Sequence, residues 1–166
     1  MDLTFEKATA ADLDAIMRNV EDVKHRGTCD WDDEYPDREI IAADIASGGT
    51  YVLRGDEGVA ASICMHAKDE ETHELESAPG IAWTATDAPC GLSRLCVRPE
   101  LQNAGLGRRM MQSVMAEAKA RGLTGIRLLA SVDNPAANSL YIRLGCNRLG
   151  ETRLYDWPFI AYEKLL

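Results

Sequence analysis

A short stretch rich in glycine and arginine is the part of the sequence best suited to bind an anion. Residues 101–110 read LQNAGLGRRM, with Gly105 and Gly107 two apart and Arg108 and Arg109 directly after them. Glycines let the backbone turn sharply and let a ligand approach without meeting a Cβ atom. The start of a helix offers unpaired N–H groups and partial positive charge. The pattern therefore predicts phosphate binding at a helix start.

The flanking residues exclude two well-known phosphate motifs. A P-loop has a first glycine, four intervening residues and then Gly-Lys-Ser or Gly-Lys-Thr. This stretch contains neither of these tripeptides. A dinucleotide fingerprint needs a third glycine where Met110 stands. For the glycine pair taken alone, a helix cap with surface arginines is the simpler interpretation.

The distribution of charge disfavours a nucleic-acid partner. The 166 residues include 18 Lys and Arg against 27 Asp and Glu, a net charge of −9. Residues 1–80 hold 20 of the acidic and 7 of the basic residues, whereas residues 81–166 hold 7 and 11. Nucleic-acid binders usually present a basic face. The local positive excess fits a small anionic ligand, although from charge alone solvated surface residues are the simpler alternative.

Composition also bears on location and on metal binding. No apolar run approaches the roughly 18 residues of a spanning helix, and the N-terminus lacks the features of a signal peptide. We therefore expect a cytoplasmic protein with no membrane partner. Five scattered cysteines without a CxxC pair, and three lone histidines, form no metal-ligand pattern. This argues for reduced thiols and no metal, and against a redox or metal protein.

The elements that must position the glycine stretch alternate between strand and helix. Hydrophobic periodicity, turn residues and caps predict strands at 3–8, 50–54, 59–65, 91–97 and 125–131, with a final strand pair after residue 146. They predict helices after Asp12, from Asp37 to Gly48-Gly49, from about Gly105 to Gly122, and from the N-cap Asn134 to Gly145. Residues 67–90 are expected to form a long, poorly ordered connection around a short strand near Ile81–Thr84. The order indicates an α/β fold in one domain, 1–166.

Two motifs in this frame resemble those of a known family. LCVRPELQNAGLGRRMM resembles the acyl-CoA-binding motif of the GNAT superfamily of N-acetyltransferases, in which a strand and a Val-x-Pro turn lead into a glycine loop that opens a helix. The matching residues are Val97, Pro99, Gln102, Gly105 and Gly107. NPAANSLYIRLGC resembles the second hallmark of that superfamily. It matches at Asn134, Ala137, Leu140, Tyr141, Leu144 and Gly145, and Cys146 stands where phenylalanine is usual.

The resemblance implies a mixed, mostly antiparallel central sheet with a splayed strand pair and flanking helices, with acetyl-CoA as cosubstrate. Leu95 and Val97 would bind the pantetheine arm through their main chain. The loop would surround the phosphates, with Gln102 helping to fix it; its cofactor-binding residues would be Gln102, Asn103, Ala104, Gly105, Gly107 and Arg108. Relatives often have a basic residue where Ala104 stands, so the amides and Arg108 would supply more of the attraction.

The second motif implies the catalytic chemistry. Asn134 would lie by the pantetheine and Tyr141 by the acetyl sulfur, and Asn138 would share that helix face. An amine would attack the thioester directly, and Tyr141, a phenol with a pKa near 10, would protonate the departing thiolate. Core packing is the open alternative for Tyr141.

The general base is not identified from the sequence. Relatives often place a carboxylate on the strand that leads to the CoA site, but residues 91–94 read GLSR. Trp31 and Tyr35, in an acidic loop, could receive a cationic amine; a solvated loop with a hydrophobic anchor is the alternative. Cys96 is expected to be a buried strand thiol and not an acyl carrier.

These residues lead to two hypotheses for function. The first is acetyl transfer from acetyl-CoA to a primary amine of a small molecule, amino acid or peptide. The second is a CoA-responsive binding module without catalysis, which the missing carboxylate favours. Relatives often dimerise, so a homodimer is a further expectation.

Overall fold

Strands and helices alternate along the chain in the computed structural model, which describes residues 1–67 and 70–166. The helices are α1 Leu13–Arg26, α2 Arg38–Ala46, α3 Glu70–Glu76, α4 Leu106–Ala120 and α5 Pro135–Arg143. The strands are β1 Thr4–Lys7, β2 Thr50–Gly55, β3 Gly58–His66, β4 Pro89–Val97, β5 Gly125–Ser131, β6 Asn147–Leu154 and β7 Trp157–Leu165. Short 3₁₀ turns occupy Ala10–Asp12 and Pro99–Leu101. The chain divides into two compact units: residues 1–65 with 94–114, and residues 66–93 with 115–166.

The first unit is built on an antiparallel hairpin. β2 pairs with β3 across the tight turn at Gly55–Gly58, and β1 pairs with β2 on its other side. α1 carries an apolar stripe at helical spacing, and α2 begins at a true N-cap because the Asp37 carboxylate accepts the Ile40 N–H at 2.8 Å. Apolar residues of α1, α2 and the strands of this unit form one core cluster. Its buried members are Ala8, Ile16, Val20, Val23, Ile41, Ile45, Val52, Val59 and Cys96.

The second unit is organised around β5. β5 pairs antiparallel with β7 along its whole length, and β7 pairs antiparallel with β6. β4 pairs parallel with β5 over only three positions, Pro89–Gly91 against Gly125–Arg127, while β5 continues to Ser131. This short ladder is what a splayed pair of strands requires. The fold prediction is therefore confirmed: the class is α/β, with mostly antiparallel pairing and flanking helices.

The prediction for residues 67–90 is wrong in its described part; Lys68 and Asp69 lie outside the described residues. The structure has the helix α3 instead of a disordered connection, and residues 81–84 form no strand. The charged run EETHELE is rich in helix formers. The following segment is held by side chains in place of a strand ladder: the Trp83 indole donates to the Leu75 carbonyl at 3.2 Å, and the Thr84 N–H donates to Glu163 at 3.0 Å.

None of the helices among the described residues combines the length and apolar character needed to cross a bilayer. Whether the chain forms one domain stays a prediction.

Candidate functional site

The glycine loop forms an exposed backbone turn at the start of α4. Asn103 and Gly105 have φ values of +63° and +80°, and α4 begins at the next residue, Leu106. A Cβ added at Gly105 would meet no atom of residues 1–67 or 70–166 within 4 Å, and the side chain of Arg108 is exposed. The first N–H groups of a helix have no carbonyl partner inside it. We call this open turn, residues 102–108, the cradle; its binding of an anion stays a prediction.

The turn that leads into this loop is firmly held. The Gln102 side-chain amide donates to the Val97 carbonyl at 3.3 Å, which links the start of the loop to the last residue of β4. The Arg98 N–H donates to the Ala60 carbonyl, and its guanidinium donates to the carbonyls of Glu57 and Val59, each at 2.8 Å. The loop thus starts from a rigid base on the β2–β3 hairpin. Contact of Gln102, Asn103 or Ala104 with a phosphate stays a prediction.

β4 carries a backbone irregularity directly before Leu95. Arg94 has φ +54°, the left-handed region that a non-glycine residue rarely adopts. Its guanidinium is 5% exposed and donates twice to the Asp44 carboxylate, at 2.6 Å from Nε and 2.6 Å from Nη2. This bidentate pair joins the irregular position of β4 to α2. Leu95 and Val97 follow it with half-buried side chains, and the binding of pantetheine to their main chain stays a prediction.

The acidic, aromatic loop between α1 and α2 contains an anchor and an exposed ring. Trp31 packs against the core cluster of the first unit, as a hydrophobic anchor would. The Asp32 carboxylate accepts the N–H groups of Glu34 and Tyr35, both at 2.9 Å. Tyr35 is 42% exposed, and its hydroxyl accepts a hydrogen bond from Arg94 Nη1 at 3.1 Å. Its contact with a substrate, like that of Trp31, stays a prediction.

Tyr141 is buried on α5. Its side chain is 8% exposed, and its ring lies 5.6 Å from that of Tyr162. Burial, with smaller contributions from Cys146 and Tyr162, raises the pKa of Tyr141 above its ordinary value. The phenol therefore stays protonated at neutral pH, which a proton donor requires and which core packing also allows.

Two asparagines fix the helix that carries Tyr141. The Asn134 side chain accepts the Ala137 N–H at 3.1 Å, which confirms Asn134 as the N-cap of α5. The Asn138 amide donates to the carbonyls of Ser131 and Asn134, at 2.9 and 2.8 Å, and its oxygen accepts the Tyr162 hydroxyl at 2.8 Å. Asn138 thus ties α5 to β5 and β7. The predicted contact of Asn134 with pantetheine is not tested by its capping role.

Four of the five cysteines are buried, and Cys29 is half-buried. None of the five forms a disulfide. Burial raises the pKa of Cys96 to about 12, with the nearby Cys29 and Asp22 adding to the effect. Because the thiolate is the nucleophilic form, Cys96 is not suited to carry an acyl group.

A polar cluster that the sequence did not point to involves His66, Ser93 and Glu71. His66 Nε2 lies 2.7 Å from the Ser93 hydroxyl and 2.7 Å from a Glu71 carboxylate oxygen. The only sequence signal is a polar residue at the end of the apolar run of β3 and a serine on β4.

Comparison with known proteins identifies a family and a common fold. The model of the acetyltransferase (GNAT) family matches residues 16–146. A GNAT-family acetyltransferase from Streptococcus agalactiae superposes with a TM-score of 0.85 at 20% identity, covering 99% of this chain and 95% of that one. No significant match is found among curated protein sequences.

Two further solved structures share the fold. The ribosomal-protein-S18-alanine N-acetyltransferase from Escherichia coli gives a TM-score of 0.68 at 20% identity, covering 99% of this chain and 94% of that one. The proposed acetyltransferase yncA from Salmonella typhimurium, solved with its cofactor acetyl-CoA, gives a TM-score of 0.72 at 17% identity. The match covers 100% of this chain and 95% of that one.

Proposed function

Because the chain belongs to the GNAT family of acetyltransferases, we propose that it transfers an acetyl group from acetyl-CoA directly to a primary amine of a small molecule, amino acid or peptide. The observation that carries the proposal is the open backbone turn at Gly105, followed by the start of α4 and the exposed Arg108. The acetyl-CoA in yncA, which has the same fold, supports the choice of cosubstrate.

In the proposed reaction the amine nitrogen attacks the thioester carbonyl, and the C–S bond breaks as the amide forms. Tyr141 gives a proton to the departing sulfur and regains one from the amine. Most of the acceleration comes from holding the two reactants together, since the protein forms no covalent intermediate. Residues 102–108 hold the diphosphate of the cosubstrate, and Trp31 and Tyr35 receive the acceptor.

The test measures free thiol released from acetyl-CoA in the presence of a panel of amines. Gly105→Trp places an indole over the cradle, and we expect it to abolish thiol release. Gly122→Trp is the matched control, because Gly122 has φ +79° and equally open space beyond its Cα, but follows the other end of α4. Both variants carry the same backbone cost, so equal loss in both would refute the role of the cradle.

A second function is a module that binds CoA without catalysis. It is favoured by the absence of a carboxylate from residues 91–97. Calorimetry with CoA and acetyl-CoA separates the two functions. Binding that is lost in Gly105→Trp, without thiol release from any amine in the panel, would favour the module.

A further inference from the structure

The cluster around His66 connects β4 to solvent through a buried imidazole. His66 is the last residue of β3 and its side chain is 7% exposed, whereas Glu71 on α3 is 41% exposed. Ser93 is half-buried and directly precedes Arg94, whose φ is positive. A hydroxyl on the strand that lacks a carboxylate is therefore joined, through one ring, to a carboxylate that reaches water.

The local structure brings these three groups together for a clear reason. Gly91 lies two residues before Ser93 and so shares its face of β4. A Cβ at Gly91 would meet Leu75 Cδ2 at 3.3 Å and the His66 Cβ at 3.8 Å, so the bare glycine lets α3 and the imidazole approach the strand.

The helix that carries Glu71 is also tied down. Glu76, in the last turn of α3, accepts a hydrogen bond from Arg127 of β5 at 2.8 Å. The Arg127 guanidinium also donates to the Thr84 carbonyl at 2.8 Å and lies 5.5 Å from the centre of the Trp83 ring. Glu71 therefore approaches His66 from a fixed element.

Ser93 and Glu71 both contact the same nitrogen of the His66 ring. In a nucleophilic serine triad the carboxylate binds the ring nitrogen that does not face the serine. Here both Ser93 and Glu71 lie at Nε2. Nε2 carries either one hydrogen or one lone pair, so it cannot accept the Ser93 proton while it donates to Glu71. It therefore does not activate Ser93 as a nucleophile in the manner of a triad. It can instead receive a proton from one partner and then pass it to the other.

We propose that Ser93, His66 and Glu71 form the proton relay that deprotonates the acceptor amine, in place of the missing carboxylate on β4. The inference rests on the proposed acetyl transfer. Ser93 accepts a proton from the bound ammonium as its own hydrogen passes to the lone pair of Nε2. The imidazolium then donates that hydrogen to Glu71, which releases it to water.

The relay completes the proton balance of the reaction. The ammonium group loses two protons when it becomes an amide. One reaches the sulfur through Tyr141, and the other leaves through Ser93, His66 and Glu71. The N–C bond forms, the C–S bond breaks, and one proton is released to solvent for each acetyl group transferred.

The activity test compares two accepted amines of different basicity. His66→Gln keeps a donor at this position but cannot take up a proton. We expect kcat/KM to fall about a hundredfold or more with an alkylamine like the lysine ε-amine, whose pKa is about 10.4, and much less with an α-amine, whose pKa is about 8. A merely structural role would lower both to the same extent, and that result would overturn the proposal.

Variants of the other two groups give matched controls. Ser93→Ala should reproduce the selective loss, and Ser93→Thr, which keeps the hydroxyl, should restore activity with the alkylamine. Glu71→Gln should lower kcat with little change in KM, while Glu74→Gln, an exposed position on the same helix, should change neither. Loss in Ser93→Thr equal to that in Ser93→Ala would count against the relay.

A second measurement does not depend on turnover. Long-range ¹H–¹⁵N NMR spectra, with His66 assigned from His66→Gln, report which ring nitrogen carries the hydrogen in the neutral form. The relay requires a lone pair on Nε2, so we expect the hydrogen on Nδ1. A neutral ring protonated at Nε2 would refute the relay, even if thiol release were normal. Absence of thiol release from all amines would instead refute the acetyl transfer, and the relay with it.

Discussion

Removal of one partner of the Asp44–Arg94 pair should be among the most destabilising single changes in the first unit. The two side chains are 8% and 5% exposed and make two charge-assisted hydrogen bonds at 2.6 Å. Arg94→Met replaces the guanidinium with an apolar chain of similar reach and leaves the Asp44 carboxylate buried without its charge partner. Loss of one member of a buried ion pair costs about 3–5 kcal/mol, against a total of about 5–15 kcal/mol for a typical domain.

The double variant determines where that free energy comes from. Asp44→Leu with Arg94→Met removes both charges, and such replacements are often neutral. We therefore expect the double variant to be more stable than either single variant, with a coupling free energy of about 2 kcal/mol or more. Comparison of Arg94→Gly with Arg94→Ala isolates the contribution of the backbone. The glycine variant should have the higher free energy of unfolding, by about 1 kcal/mol, because φ is +54° at this position.

The assay is urea denaturation followed by tryptophan fluorescence, with the m-value compared across the series. Unchanged m-values would show that the variants unfold from equally compact states. If Arg94→Met lowered the free energy of unfolding by less than about 1 kcal/mol, the pair would behave as a solvated surface bridge, and the reasoning from burial would be wrong.

Three further outcomes are expected. Thr50→Val should leave the free energy of unfolding unchanged or raise it by about 1 kcal/mol in urea denaturation, because the Thr50 hydroxyl is buried and has no hydrogen-bond partner among the described residues. A clear loss of stability would show that the hydroxyl is bonded in solution. Cys96→Ala should reduce the loss of stability at alkaline pH, because the thiol ionises near pH 9 in the unfolded chain and near pH 12 when buried. Between these values the free energy of unfolding of the wild type should fall by about 1.4 kcal/mol per pH unit more than that of the variant. Parallel curves of unfolding free energy between pH 9 and 11 would contradict the assignment. Tyr141→Phe should lower kcat for thiol release by about a hundredfold with little change in the KM for acetyl-CoA, and undiminished turnover would leave Tyr141 as a core residue only.

Features determined by neighbouring residues could be predicted from the sequence. The N-caps Asp37 and Asn134 are observed as predicted, because a cap depends on a side chain and an N–H three residues apart. The hairpin of β2 and β3 follows from two apolar runs and a short turn. The glycine loop begins its helix within one residue of the predicted start.

Features that depend on register across the fold could not be predicted. Arg94 and Asp44 are 50 positions apart, and His66 and Ser93 are 27 apart. A shift of one residue in a strand moves every side chain to the opposite face, so no sequence pattern brings these groups together without the sheet. The sequence does not predict α3 for a related reason: the polar residues around it suggest a loop, and one of its anchors, Arg127, is 51 positions from its partner Glu76.

Glycine at position 105 contributes little to the stability of the fold. Among the described residues no atom lies within 4 Å of the Cβ that a side chain would add at this position, so the surroundings of that atom do not require glycine. The positive φ disfavours an L-residue by only about 1–2 kcal/mol, which a stable domain tolerates. Stability alone therefore does not require glycine at this position, and the bare backbone at Gly105 agrees with the proposed binding of a ligand there.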